Sequence, residues 1–215
     1  MIRKITTLIL MSLITHIAAA NEAGNWFIRP FVGYSFMSDP SANSEGIGGA
    51  NGPLQVELDN GFNAGTGIGY RFTRNWAAEI AWEYRSNDSK VITADGQSYD
   101  DGNYASNLFF VNGIYFFDTK STWKPYLGAG LIWAQEIDID LENAGQEQSF
   151  TTDGDIGYQL FAGVNYSFAP NWSLQGELRY GAVTGLDLVG EGNDGVINNI
   201  DYKTTTVQLG VVYYF

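Results

Sequence analysis

Seven charged side chains lie in segments of the sequence that otherwise alternate apolar residues with polar or small ones. They are Arg29, Arg71, Glu79, Glu83, Arg85, Glu177 and Arg179. Successive side chains of a β-strand point to opposite faces, so the alternation predicts that these seven share an inner face. Two interpretations of this set stay open: a gate of ion pairs across a narrow lumen, or a polar core in which pairing offsets the desolvation of buried charge.

The sequence offers little for catalysis or metal binding. It contains no cysteine, and its one histidine is His16. Beyond that position the chain therefore lacks Ser-His-Asp, Cys-His and histidine-containing metal constellations. The stretch "GTGIG" at 65–69 has part of the spacing of a dinucleotide-binding loop, but no helix follows it. We predict no enzymatic activity, no metal site and no cofactor, and we interpret these glycines as space for long interior side chains.

The first twenty residues have the order of a secretory signal peptide. Arg3 and Lys4 precede an apolar stretch at 5–14, and alanines occupy positions 18–20. This pattern predicts cleavage after residue 20 and a single domain over residues 21–215. An N-terminal membrane anchor is the alternative, but an apolar run of about ten residues is too short to cross a bilayer as a helix.

Acidic residues outnumber basic ones strongly. Arg3 and Lys4 are two of the 11 basic residues, so nine remain against 24 acidic residues in the predicted mature chain. This balance argues against nucleic acid as a partner, because contacts to phosphate need basic clusters. The acidic stretch "EIDIDLEN" at 136–143 lacks the spacing of an EF-hand. We predict a solvated charged loop there, and binding of divalent cations stays open.

Segments of period two repeat along the whole chain. Eight of them are predicted as strands, at residues 26–36, 61–72, 76–85, 105–117, 123–133, 156–168, 172–181 and 203–215. Segments of about ten residues with this alternation are typical of membrane β-strands. A soluble β-sandwich would alternate in the same way, but charged residues in mid-strand and aromatic residues at strand ends favour the membrane.

The connections between these strands alternate in length. Three are short, at 73–75, 118–122 and 169–171, whereas four are long, at 37–60, 86–104, 134–155 and 182–202. The long connections hold 19 of the 24 acidic residues. The pattern predicts an all-β fold: an eight-stranded antiparallel up-and-down transmembrane β-barrel with short periplasmic turns, long extracellular loops and both termini in the periplasm.

Aromatic residues mark the strand ends at conserved spacing. "YRFTRNWAAEIAWEY" at 70–84 and "YSFAPNWSLQGELRY" at 166–180 share Tyr, Phe, Asn, Trp and a closing Tyr. Aromatic belts meet the membrane interfaces, so these positions predict a girdle at each interface. The predicted girdle residues are Tyr70, Phe72, Trp76, Tyr84, Tyr166, Phe168, Trp172, Tyr180 and Phe215.

These frames resemble the small OmpA-type outer-membrane β-barrels. The stretches "KPYLGAGL" at 124–131 and "GYQLFAGVNYSF" at 157–168 are also similar to that family, and the last strand ends in Phe215. The resemblance covers nearly all of the predicted mature chain, without the C-terminal peptidoglycan-binding domain of full-length members. It implies residence in the outer membrane of a Gram-negative bacterium, contact with outer-membrane lipid, and recognition of the last strand by the insertion machinery.

The resemblance is poor for function, because relatives include structural proteins, adhesins and resistance proteins. Loops displayed on a rigid scaffold are a usual place for binding. We therefore expect a surface protein whose acidic loops meet an extracellular host or surface ligand, as in adhesion, colonisation or virulence. A narrow low-conductance pore and a purely structural role are the alternatives.

Overall fold

The computed structural model of the chain describes residues 25–47, 50–143, 146–192 and 194–215, so the predicted signal peptide lies outside the described residues. The described part forms eleven strands, all of them paired antiparallel. Their bounds are β1 Asn25–Met37, β2 Ser41–Ile47, β3 Ala50–Leu58, β4 Gly61–Arg71, β5 Trp76–Ile92, β6 Ser98–Phe116, β7 Trp123–Asn143, β8 Gln146–Thr152, β9 Asp155–Ala169, β10 Trp172–Gly190 and β11 Val196–Tyr214. No helix of the described residues is long and apolar enough to cross a membrane.

The sheet closes on itself. The hydrogen-bonded neighbours run β1, β4, β5, β6, β7, β9, β10 and β11, and β11 pairs back with β1. Each strand of this ring therefore has a partner on both sides, which removes the exposed edges that promote aggregation. The total of eight strands that the sequence predicts does not match the structure, which has three further strands, β2, β3 and β8.

The prediction of long loops is wrong for most of their length. β6 begins seven residues earlier than expected, at Ser98, and β7 and β10 continue to Asn143 and Gly190. β2 and β3 form a hairpin that pairs with β11 and β5, and β8 bridges β7 and β10. The ring is thus extended at one end by further paired strands, called the extension below.

β-Bulges explain why the alternation of the sequence did not reveal the extension. Opposite Asn107 and Leu108 of β6, the partners on β7 are Glu136 and Ala134, so Gln135 has no partner. The inward positions of β7 change there from even numbers, such as Ile132, to odd numbers. A one-residue bulge reverses the face of every later side chain. The period-two pattern of inward residues is therefore interrupted at the place where the predicted strand ends.

The pairing of β10 with β11 is irregular at the same level. Register shifts lie between Val183 and Leu188, and Gly185 and Asn199 have positive φ angles of 72° and 56°. Glycine adopts this backbone conformation readily and asparagine tolerates it. Asp201 accepts a hydrogen bond from the backbone N–H of Gly185, and Asp187 accepts one from that of Asn199.

The interior has two parts of opposite character. Within the ring the inward side chains are mostly polar or charged, with an apolar cluster near the short turns. In the extension they are aliphatic and aromatic and form one packed core. Its members include Ile47, Leu54, Val56, Val91, Tyr104, Ile137, Ile139, Leu141, Phe150, Leu186, Leu188, Ile197, Ile200 and Tyr202.

The outer face changes in the opposite sense. Around the ring it carries large exposed apolar side chains, for example Val32 at 61% and Leu131 at 60% exposure. Around the extension it carries polar and acidic residues. An apolar outer band beside a polar interior is the arrangement of a transmembrane β-barrel, whereas the extension is built like a soluble protein.

Candidate functional site: a charged interior and an acidic end

A bidentate ion pair lies at the centre of the ring. Arg29 on β1 donates from Nε to Glu79 Oε1 at 2.7 Å and from Nη2 to Glu79 Oε2 at 2.6 Å. Asn112 on β6 donates to Oε2 of the same carboxylate at 3.1 Å. Both charged groups are buried. Such parallel hydrogen bonds give this pair both strength and a fixed geometry.

Glu83 is shared between two arginines. Its Oε1 accepts a hydrogen bond from Arg85 Nη2 at 2.6 Å, and its Oε2 accepts one from Arg179 Nη2. Arg85 also donates to Thr204 Oγ1 at 2.6 Å and to Thr206 Oγ1 at 3.2 Å. β5 and β10 are not neighbours in the ring, so the Glu83–Arg179 pair crosses the lumen.

Amides and a tyrosine join the remaining charges into one network. Gln208 on β11 accepts from Arg179 at 2.5 Å and donates to Glu177 Oε1 at 2.7 Å. Tyr126 on β7 donates to Glu177 Oε2 at 2.8 Å. Gln159 accepts from Arg179 at 3.5 Å and donates to the side chain of Asn112 at 2.6 Å, and Asn112 in turn binds Glu79. Three arginines and three glutamates are thereby held together in a network without net charge.

Arg71 is the predicted member of the set that the structure keeps apart from the other six. Its guanidinium is buried near the short turns, donates to the carbonyl oxygen of Arg74 at 2.5 Å and lies 4.4 Å from the centre of the Phe116 ring. Its Nε and Nη1 have no hydrogen-bond partner within the described residues. The alternation of the sequence predicts the face of a side chain but not its partner, so it does not separate Arg71 from the paired residues.

Bulky side chains fill the ring. An added Cβ at Gly67 would lie 2.6 Å from Glu79 Oε1, and one at Gly69 would lie 2.2 Å from the Phe27 ring. These glycines of the 65–69 stretch make room for interior side chains, as the sequence predicts. Between Arg85, Arg179 and Ile132 the free space amounts to about 10 Å³, about one water molecule.

The acidic end of the molecule consists of paired strands rather than loops. The stretch at 136–143, expected to be a solvated loop, belongs to β7 and β8 pairs with it. Ile137, Ile139 and Leu141 point into the core, while the acidic residues between them face outward. Burial raises the pKa of the Asp138 carboxyl, and the nearby carboxylates of Asp140, Glu136 and Glu191 raise it further. Within the described residues, no group of acidic side chains is arranged to hold a metal ion.

Tryptophan–tyrosine pairs encircle the outer face at the short-turn end. Each joins two neighbouring strands in direct register: Trp26 with Tyr70, Trp76 with Tyr115, Trp123 with Tyr166, and Trp172 with Tyr213. Their ring centres lie 4.4 to 5.2 Å apart. Of the predicted girdle residues, Phe72, Phe168 and Phe215 are exposed beside these pairs, and Tyr84 and Tyr180 are exposed further along their strands. The sequence shows two repeats of this frame, whereas the described residues form four such pairs.

The asparagines of the repeated frame also have one role. Asn75 Nδ2 donates to the carbonyl oxygen of Phe116 at 2.8 Å, and Asn171 Nδ2 donates to that of Tyr214 at 2.9 Å. In return, the backbone N–H of Phe116 donates to the carbonyl oxygen of Asn75 at 2.7 Å, and that of Tyr214 donates to Asn171 at 2.9 Å. Each asparagine thus completes the end of a neighbouring strand. The spacing of Asn before Trp was the signal for this role.

The closed ring, its polar interior and its apolar outer band define a small outer-membrane β-barrel. The chain belongs to the outer membrane protein beta-barrel domain family, which matches residues 5–215. Outer membrane protein W of Vibrio cholerae is 20% identical over 203 residues, which cover 91% of each chain. Protein opa of Haemophilus influenzae is 32% identical over 91 residues, or 41% of this chain and 72% of that protein. The crystal structure of OprG from Pseudomonas aeruginosa superposes with a TM-score of 0.70 at 16% identity and covers 91% of this chain and 98% of that one. At this identity the likeness concerns the fold.

Proposed function

We propose that the protein is a surface protein whose extension presents a fixed array of carboxylates to a positively charged extracellular partner. The ring of eight strands spans the outer membrane as one domain, residues 21–215, after removal of the signal peptide. The short turns and both termini face the periplasm, and the insertion machinery reads the strand that ends at Phe215. The protein has no catalytic role and no cofactor.

The observation that carries this proposal is the alternation within β7 above its bulge. Glu136, Asp138, Asp140 and Glu142 project outward from a strand whose inward residues are packed in an apolar core. The carboxylates therefore keep their spacing. Binding of a partner then does not cost the conformational entropy of ordering a flexible loop. A dense field of one sign also steers an oppositely charged partner toward this end.

The few basic residues near the acidic end support the same reading. Lys90 pairs with Asp100 at 2.9 Å, and Lys203 pairs with Asp201 at 2.6 Å. Glu136 and Asp140 form no salt bridge within the described part of the chain. Their carboxylates are therefore available to the basic side chains of an external partner, such as a basic protein of a host surface.

A conducting lumen has less support as the principal activity. The charged network crosses the ring, and the apolar core of the extension lies above it. If ions nevertheless pass, replacing Glu79 or Arg179 by Ala changes the single-channel conductance in planar bilayers. A conductance that depends on these residues would favour the pore over the surface role.

The test compares cells that carry the protein with cells that carry the variant Glu136→Gln, Asp138→Asn, Asp140→Asn, Glu142→Gln. We expect binding to host cells or to a surface coated with a basic protein to fall about tenfold, because each exposed charge contributes a modest, salt-dependent term. The matched control is Asp138→Glu, Asp140→Glu, which keeps the charge and should bind as the parent does. Unchanged binding of the neutralised variant, with a folded barrel shown by gel mobility before and after boiling, would overturn the proposal.

A further inference from the structure

Four basic residues gather at the short-turn end of the barrel, on one side of it. Arg74 lies in the turn between β4 and β5, Lys120 in the turn between β6 and β7, and Lys124 at the start of β7, beside the buried Arg71. The turn between β9 and β10, residues 170–171, carries no charge. The basic side is therefore confined to the part of the ring from β4 to β7.

The cations of this cluster are not neutralised by salt bridges in the part of the chain that the structure describes. Arg74 and Lys120 are exposed, and none of the four forms a salt bridge within the described residues. Asp118 is the acidic residue of the turn between β6 and β7, and it forms no salt bridge within the described residues. By contrast, the two lysines at the other end of the molecule are both paired with aspartates.

The cations lie at the level of the aromatic belt. Arg74 precedes Trp76 by two residues, and the exposed Phe117 lies between Tyr115 and Lys120. Tryptophan and tyrosine take positions among the lipid headgroups. The free ammonium and guanidinium groups are therefore next to the phosphates of the leaflet that surrounds this end.

An apolar groove of about 670 Å³ begins at the same place on the outer wall. Its lower end is the Trp76–Tyr115 pair, and it rises across β6, β7 and β9 to Tyr180, over a floor that includes Gly113, Ala129 and Ala162. Gly113 pairs directly with Ala129, so no long side chain stands between the neighbouring ridges. The groove faces the membrane rather than the lumen.

From the basic cluster and the groove together we infer a binding site for an anionic phospholipid. Its phosphate is held by Arg74 and Lys120, the two exposed basic residues of the turns, and one acyl chain lies in the groove above the Trp76–Tyr115 pair. Charge complementarity selects a headgroup with net negative charge, and an unbranched chain follows the narrow floor. This inference rests on the membrane placement of the ring and not on any binding by the acidic extension.

The test measures the association of spin-labelled phosphatidylglycerol and spin-labelled phosphatidylcholine with the folded protein in phosphatidylcholine vesicles. We expect the association of phosphatidylglycerol to be favoured about tenfold at low salt, because each basic residue near an anionic headgroup strengthens the association roughly fivefold before screening by salt. In Arg74→Gln, Lys120→Gln this preference should fall to about one. The control Lys90→Gln, Lys203→Gln removes the same charge at the other end and should keep the preference.

The groove is tested with Gly113→Val, because an added side chain at this outward position has no close neighbour in the protein. An added Cβ there meets only the carbonyl oxygen of Ala129, at 3.9 Å. The variant should lower the motionally restricted fraction of phosphatidylglycerol, whereas Gly176→Val, at another open outward position, should leave it unchanged. Equal association of the two lipids with the parent protein, or a preference that survives Arg74→Gln, Lys120→Gln, overturns the site. An unchanged motionally restricted fraction in Gly113→Val overturns the proposal that an acyl chain lies in the groove. If neither lipid shows a motionally restricted fraction, the placement of the ring in the membrane is overturned.

Discussion

The ring and the extension share β5, β6, β7, β10 and β11 but are organised in opposite ways. Along β7 the outward side chains change from Leu131 and Trp133 to Glu136 and Asp138, and the inward ones become continuously aliphatic. In lipid, moving an apolar side chain from the outer face to the interior gains little free energy, so the interior is stabilised by hydrogen bonds and packing. In water the hydrophobic effect directs apolar side chains inward. The difference shows that the solvent on the outside decides which face of one strand becomes the core.

Removing a shared charge from the ring should have the largest effect. In Glu83→Gln both Arg85 and Arg179 lose their carboxylate while they stay buried, which costs about 3 to 5 kcal/mol of the free energy of unfolding. Urea unfolding in lipid vesicles measures this loss. The control Glu57→Gln alters an exposed residue of β3 and should stay within about 0.5 kcal/mol of the parent. A loss below about 1 kcal/mol for Glu83→Gln would mean that the ring does not depend on its charges.

A cavity in the extension should cost less and act locally. Leu141→Ala removes a fully buried side chain of the apolar core, with an expected loss of about 2 to 4 kcal/mol. Hydrogen exchange of the β7–β8 hairpin should accelerate, while the ring keeps the mobility of the folded protein on unboiled gels. Leu131→Ala on the same strand faces outward and should leave the exchange of the hairpin unchanged. Equal destabilisation of ring and extension would show that the two parts unfold as one.

A smaller effect is expected at the short turns. Asn75→Asp and Asn171→Asp keep the size of the side chain but remove the N–H that serves Phe116 and Tyr214. We expect losses of about 1 to 2 kcal/mol, with Asn171 the more sensitive because it is buried while Asn75 is partly exposed. Unfolding of the two variants side by side measures the order. The reverse order would argue against a shared capping role.

The smallest effect concerns pH and the extension alone. Burial raises the pKa of Asp138, so its ionised form is disfavoured in the folded state. The folded protein therefore gains stability as the pH falls through this raised pKa toward the ordinary value of about 4, and loses that gain as the pH rises. Unfolding between about pH 4 and 7 should show this trend in the parent and lack it in Asp138→Asn. A pH dependence that persists in the variant would assign the trend to other groups.

The lower ends of the strands could be predicted from the sequence, but the upper ends could not. β5 and β10 begin at Trp76 and Trp172 as expected, because a short polar turn and an aromatic residue mark the start. β7 and β10 continue ten and nine residues beyond their predicted ends at 133 and 181. The inward face changes parity at Gln135, and no residue type announces a bulge, so the pattern disappears while the strand continues.

The candidate site was predictable to a similar extent. The inward face of Glu79, Glu83 and Glu177 follows from alternation in single strands. Their partners do not, because Arg179 reaches Glu83 across the lumen from a strand that is not its neighbour. The full set of four Trp–Tyr pairs is not evident from the sequence, because Trp123 follows a threonine and Asn25-Trp26 lacks the preceding Tyr-x-Phe that marks 70–84 and 166–180.

The bulge at Gln135 and the break between β8 and β9 at Gly154 have a consequence for exchange of parts between related barrels. The β7–β8 hairpin that starts at the bulge and ends at this break brings its own inward face with it, because the bulge shifts the parity on entry and β9 begins a new strand on return. Such a segment can be lengthened, shortened or transplanted without shifting any residue of the wall below. The irregular positions therefore act as splice points, and a chimera joined at 135 and 154 should insert as the parent does, whereas one joined a residue lower on β7 would turn its apolar side chains to water.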